Sequence, residues 1–461
     1  MSLVRLNLIL VSILLLGYAF LDKTFAYIGI WPLFIGEIVL IATLFTTLIS
    51  GVEHRYLRSP ITVALLAFLL WQGLILVFSA SGNLVTALRD SAIWYYAIFA
   101  ILIASWLLRL GAIEQCLDWY SRWIPWFAVW AAPAFIISDQ MRFSLPQIPG
   151  TGVTLLQIKP GDIAVHLAGI AAFLVLGLHR DFPRRARNWI VFKEIICYSG
   201  VLLGVIATGS RNRGGLISVL LAILVVTILR PNNRLNRLIL PVAFVATLLI
   251  AFDVSIPTGG GRDISLNQII ENAESVVGQS KSKSLKGTVD WRLTWWNSIV
   301  DDTVNGENFW HGIGYGSDLA ARFNFTDRTG NRSPHSAHLT LLGRSGVPGL
   351  ALWIGLIGTI YLMLLRGYVL AQANNRHTLA KINLWVMGYF TAFLVNMSVD
   401  VYLEGPQGGI WFWALVGFAI ALTYAQSVNA KAPRSHARVP AAVGRRRVGA
   451  AFPNVPANHR R

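Results

Sequence analysis

Charge is scarce in this chain. Only 13% of its 461 residues are Asp, Glu, Lys or Arg, where soluble domains carry about 25%. Cysteine is almost missing. Cys116 and Cys197 are the only two, one at the edge of an apolar run and one within another, which excludes a disulfide framework. There is no His-Glu-x-x-His pattern for a metal and no Asp-x-Asp motif for a metal–nucleotide sugar. No internal repeat stands out, which weakens a transporter built from paired repeats. Acidic residues number 22 against 39 basic ones, for a net charge of +17. In a soluble protein that balance would suggest nucleic acid. Here the positives sit in short loops and in the tail, so they read as orientation signals in a membrane, and no nucleic acid partner is expected.

What the chain does have is apolar sequence from end to end, with a mean hydropathy of +0.56. Runs of about 18 residues or more recur, the mark of a polytopic membrane protein. Arg5 to Phe20 passes directly into further apolar sequence, so it reads as a first span rather than a cleavable signal. The expectation is an all-α fold of about twelve transmembrane helices. They start near Arg5, Ile28, Pro60, Ser91, Trp123, Ile163, Trp189, Gly214, Leu238, Val347, Lys381 and Gly408. The expected division is 1–252 for spans one to nine, 253–335 for a large loop domain between spans nine and ten, 336–428 for spans ten to twelve, and 429–461 for a disordered basic tail.

Alternate loops are basic. They hold Arg55 and Arg58, Arg180 to Arg187, Arg230 to Arg237, and Arg366, Arg376 and Lys381, and the tail continues the series. The positive-inside rule makes these cytoplasmic, with both termini inside. The other face then carries Ser138 to Asp162, Thr208 to Gly215, Asp253 to Pro334 and Asp400 to Gly408. The third of these is too long for a plain connector and is expected to fold. Within it, Val289 to Val304 has Trp291, Trp295 and Ile299 at helical spacing. That suits either a helix on the membrane surface or packing inside the loop domain.

Two features on that face point to chemistry. ATGSRNRGGLIS puts Arg211 and Arg213 on the side where positive charge is disfavoured. They read as interfacial side chains or as an anion clamp, since the guanidinium fork matches phosphate oxygens. Arg292 in the tryptophan-rich helix offers a third positive group, and Gly312 to Gly316 is a weak phosphate-loop signal. PHSAHLTLLGRSGVPG then places His335 and His338 three apart. The readings are a metal pair, structural histidines, or a base that takes a proton near neutral pH.

His335-Ser336, with Gly346 and Gly349 beyond, resembles the signature of bacterial O-antigen ligases and of the related Wzy-type polymerases. SRNRGG, WRLTWW and HGIGYGSD precede it in the order that family uses, so the resemblance covers about residues 200 to 425. It implies a GT-C-like, metal-independent, inverting glycosyltransferase of the bacterial inner membrane with its site facing the periplasm and no cofactor. Its implied donor is an undecaprenyl diphosphate-linked glycan, and its acceptor is lipid A-core or a growing glycan, both met among membrane lipids. By that resemblance His335 is the catalytic residue, Arg292 the loop arginine and Arg211 the arginine after the span; Arg213 is an extra positive that the match does not place, and the reading is that all three arginines hold the diphosphate. His338 and Asp400 are accessory candidates. The family often has Asn after the histidine and an acid at position 344. Here these are Ser336 and Arg344, which leaves ligase and polymerase both open. A lipid-linked glycan flippase or polysaccharide transporter is the rival of another class, and it would need ionisable groups near the bilayer midplane.

Overall fold

A segment in lipid must satisfy its backbone internally, and helices do so. The computed structural model describes residues 2–79, 84–182, 191–230, 283–326 and 332–431, with Ser255, Ser265, Gln268 and Asn272 besides. Among these the fold is helical apart from a hairpin of two-residue strands, β1 (Gly29–Ile30) and β2 (Leu33–Phe34). The first half contains α1 (Leu3–Ala26), α2 (Ile35–Ser50), α3 (Pro60–Ser79), α4 (Leu84–Asp90), α5 (Ala92–Tyr95), α6 (Ile98–Leu110) and α7 (Ile113–Gln140). Then come α8 (Pro160–Val175), α9 (Leu178–Asp181), α10 (Val191–Gly209) and α11 (Arg213–Leu229). After the loop follow α12 (Lys283–Val304), α13 (Leu319–Arg322), α14 (Ala337–Ala373), α15 (His377–Val399) and α16 (Pro406–Lys431).

Among the described residues, six helical stretches are long and apolar enough to cross a membrane, and α2, α8 and α11 are shorter apolar helices. A polytopic membrane protein follows. The expected ninth span from Leu238 and the basic tail lie outside the described residues. Helix α8 is apolar on every side (IAVHLAGIAAFLV) and is buried from Gly161 to Val175, as an all-round apolar helix should be. It packs against α10, α11 and α15. The starts of α8, α11 and α14 and the ends of α7 and α15 gather at one end of this bundle. The described parts of the four segments expected on one face meet at that end.

Helix α14 starts at Ala337, ten residues before the expected span, and breaks at Gly346, where φ is 70°. A Cβ there would lie 2.5 Å from the Phe309 carbonyl oxygen, so only glycine fits. The break frees backbone groups that need partners, and a strap from the loop supplies them. Ile313 N donates to Gly343 O at 2.7 Å and Gly314 N to Arg344 O at 3.0 Å, while Val347 N donates to Phe309 O at 2.8 Å. Trp71 Nε1 donates to Ser345 O at 3.0 Å. The amides of Gly312, Gly314 and Gly316 are thus spent inside the protein, on Asn308 O, Arg344 O and Asp90 Oδ2, and the phosphate-loop reading gives way to a structural one. Arg344 is buried and locks the strap, donating to Gly314 O and Ser317 O and pairing with Asp90 at 2.9 Å.

The tryptophan-rich segment is helical as expected. Trp295 and Ile299 are fully buried in a cluster with Leu319, Ala320 and Leu342. Trp295 stacks on Phe325 at 5.2 Å. Packing within the loop domain, and against the head of α14, accounts for its apolar face.

Candidate active site

Residues 333–335 form a short bridge into α14, pinned on both sides. Trp296 Nε1 of α12 donates to Pro334 O at 2.7 Å. Ser333 Oγ donates to Glu404 at 2.7 Å, and Thr340 Oγ1 reaches the same carboxylate oxygen at 2.8 Å. Burial raises the Glu404 carboxyl above its ordinary range, and the Ser333 and Thr340 hydrogen bonds offset part of that. Ser336 caps α14, its side chain accepting from Leu339 N. Serine and asparagine are both strong N-caps, which explains physically why either can follow the histidine.

His335 therefore lies outside the helix, in a left-handed conformation at φ 55°. His338 lies inside it, so the two imidazoles do not share a helical face. His338 has both ring nitrogens engaged: Trp353 Nε1 donates to Nδ1 at 2.9 Å, and Nε2 meets Ser398 Oγ at 3.0 Å. Because Nδ1 accepts, Nε2 carries the proton and the ring is neutral. His335 differs. Its Nδ1 has no hydrogen-bond partner and stands 3.9 Å from Asp400 Oδ1, with 18% of the side chain exposed. Trp291 flanks it edge-on at 6.3 Å.

Asp400, at the end of α15, is the centre of the site. Lys159 Nζ donates to its two oxygens at 3.0 and 3.1 Å. Val401 N donates to Oδ1 at 2.8 Å. Burial pushes the Asp400 carboxyl up, but Lys159 and His335 outweigh it and hold the group below the usual carboxylate range. Burial likewise pulls the Lys159 ammonium down, and Asp400, Asp162 and Asp22 together raise it above its ordinary value. Arg292 donates to the neighbouring Val399 O at 3.0 Å while its Nε remains unpartnered. His335, Arg292 and Asp400, distant in sequence, thus converge.

The other two arginines come close by a different route. Arg211 pairs with Asp139 at 3.2 Å. Arg213 opens α11, after Asn212, whose Oδ1 accepts from Gly215 N at 3.0 Å. The start of α11 abuts the site backbone: a Cβ on Gly214 would lie 2.5 Å from Val399 Cγ2. Fully buried Asn396 has both amide atoms unpartnered beside Gly161 and Asn212. Among the described residues no group of three or more His, Cys, Asp or Glu is gathered as a metal site.

Below this polar end an apolar cleft lies between α1, α6, α7, α8, α15 and α16, with free space of about 1130 Å³ including its mouth. Its wall on α1 runs from Leu8 to Phe20, about 18 Å of helix. A narrower space shares Ala19 and His166 with the cleft and reaches Asp22 and Asp162. That narrower space has no room for a water-sized molecule.

Sequence reasoning passed over Lys159, Asp22, Glu404 and Trp296. The signal for the first lay in Lys159-Pro-Gly-Asp162, two charges at the mouth of an apolar span. Nothing local marked the partnership of Asp22, whose Oδ2 accepts from Lys159 N at 2.5 Å.

Fold and site together define a helical membrane protein with a charged, partly exposed centre at one end of its bundle. Residues 198–354, about a third of the chain, match the family described as O-Antigen ligase. No curated protein matches the chain significantly.

Proposed function

We propose that this protein transfers a glycan from an undecaprenyl diphosphate carrier to an acceptor hydroxyl on the periplasmic face of the bacterial inner membrane, as an O-antigen ligase acting on lipid A-core. The observation that carries the reading is the convergence on Asp400 of a partly exposed imidazole with an unpartnered Nδ1 and an arginine, His335 and Arg292 both lying in the family-matched stretch 198–354. With Nδ1 facing Asp400, His335 presents Nε2 to substrate. Nε2 takes the acceptor O–H proton as the oxygen attacks the anomeric carbon. The bond from that carbon to the phosphate oxygen breaks, and its electron pair leaves with the diphosphate. Arg292, with Arg211 and Arg213 from the start of α11, meets the charge that develops. A single displacement inverts the anomeric centre, and the arginines supply the positive charge without a metal. The apolar cleft suits a lipid-borne substrate.

A polymerase would use the same steps with a growing glycan as acceptor. Arg344, where the family often carries an acid, leaves both open. Purified protein with lipid-linked glycan and each acceptor separates the two. A single adduct on lipid A-core marks a ligase and a ladder of glycans marks a polymerase; transfer to neither sinks both. The periplasmic placement has its own check. Ser210 is fully buried and makes a poor probe, whereas Phe143 is 84% exposed. With the native cysteines replaced, Phe143→Cys should react with an impermeant thiol reagent from the periplasm and Asn375→Cys should not.

A further inference from the structure

Lys159 is partly buried, yet no step of the proposed reaction uses it. It is held by both its main chain and its side chain. Asp22, at the kink of α1, accepts from its backbone N–H at 2.5 Å. On the far side its ammonium grips Asp400 at 3.0 Å. The Asp400 oxygen it grips also stands 3.9 Å from His335 Nδ1. A bonded chain, Asp22 to Lys159 to Asp400, therefore joins α1, the start of α8 and the end of α15, and it ends 3.9 Å from His335 Nδ1 in the bridge before α14.

We infer that Lys159 is a positioning residue for His335, acting through Asp400. This rests on the proposed role of His335 as the base. The carboxylate is the one acidic group seen at Nδ1. Held there, it selects the tautomer with the proton on Nδ1 and the lone pair on Nε2. An unpaired Asp400 would go further and stabilise the imidazolium, removing the base at neutral pH. The lysine charge neutralises most of that pull. The remaining charged groups around the pair are Arg292 on α12, Asp162 on α8, and Asp22 and Lys23 on α1. None of them grips both Asp400 oxygens.

The test is glycan transfer by the full-length protein, using lipid-linked glycan extracted from the native membranes. Lys159→Met keeps the length of the side chain and removes the charge. Turnover should fall about tenfold to a hundredfold, short of the full loss of a general base. KM for the lipid-linked donor should change little. The acid limb of the pH profile should move to higher pH by about one unit, because a cation is lost from the neighbourhood of the imidazole. Lys159→Arg should restore most of the turnover. Against an Asp400→Asn background, Lys159→Met should cost less than about twofold more, since residues that act through one another are not additive. Full additivity, or a rise in donor KM with an unmoved pH profile, overturns the inference and puts the ammonium on the diphosphate. Retained activity in His335→Ala overturns instead the reading of the base. If Lys159→Met fails to insert, the comparison of Lys159→Arg with Lys159→Gln on turnover and pH profile decides.

Discussion

The bridge from Ser333 to His335 and the helix head from Ser336 to Ser345 are adjacent in sequence and opposite in character. In the helix head His338, Thr340 and Ser345 all have side-chain partners. His338 is closed between Trp353 and Ser398, and Ser345 donates to Leu341 O while accepting from Gln72. In the bridge the backbone is held from two sides, but Nδ1 of the imidazole it presents is left without a hydrogen bond. His335 also sits at positive φ, a conformation that costs a non-glycine residue about 1–3 kcal/mol. Native structures seldom leave a polar group both strained and unpartnered unless a ligand acts on it. The two halves of one motif thus separate function from support.

Removing the ring should break that contrast most sharply. His335→Ala is expected to lower turnover by about two to four orders of magnitude, the range for a general base, with membrane insertion and donor binding intact. Transfer at near wild-type rate would remove the base from this position. Arg292 comes next. Arg292→Ala should weaken transfer by about a hundredfold, the scale of one lost donor to a developing oxyanion. Arg292→Lys should recover part of it, keeping charge but not the fork. A normally inserted Arg292→Ala of full activity would confine that side chain to holding Val399.

Much of this contrast was legible in sequence. Apolar run lengths gave the helices, because lipid leaves the backbone no other choice. Trp291, Trp295 and Ile299 announced their helix by spacing. His335, Arg292 and Asp400 were reached through the family motif, and their geometry brings them together. Other features were not legible, for a common reason: partners far apart in sequence. Asp22 meets Lys159 across 137 positions, and no local pattern encodes that contact. The glycines at 312–316 resembled a phosphate loop because closely approached backbone looks alike in sequence whether it faces an anion or a broken helix. The tautomer lock on His338 needed Trp353, 15 residues on, to be seen beyond the kink at Gly346.

A smaller effect on turnover is expected where the helix head is supported. Gly346→Ala forces a Cβ against the Phe309 carbonyl and demands positive φ. It should cost about 1–3 kcal/mol of stability, read as a lower unfolding temperature in detergent. The strap lies on the far side of α14's first turns from the base. Turnover per folded molecule should therefore fall far less than in His335→Ala. Unchanged stability would mean that the strap does not need the break.

The smallest change in chemistry should come from His338. Both of its nitrogens are spent inside the protein, so no lone pair is left for an acceptor hydroxyl. His338→Ala removes an imidazole from between Trp353 and Ser398 and leaves the indole N–H, in a fully buried residue, without its acceptor. An unsatisfied buried donor costs about 1–3 kcal/mol, so stability should drop. Turnover, measured at matched amounts of folded protein, should stay within about tenfold of wild type, below the general-base range. His338→Gln sharpens the comparison, since its amide offers Trp353 an acceptor and Ser398 a donor. It should regain stability over His338→Ala while leaving turnover where the alanine put it. A loss of turnover in both variants as deep as that of His335→Ala, with folding intact, would make His338 part of the chemistry and erase the division between the bridge and the helix head.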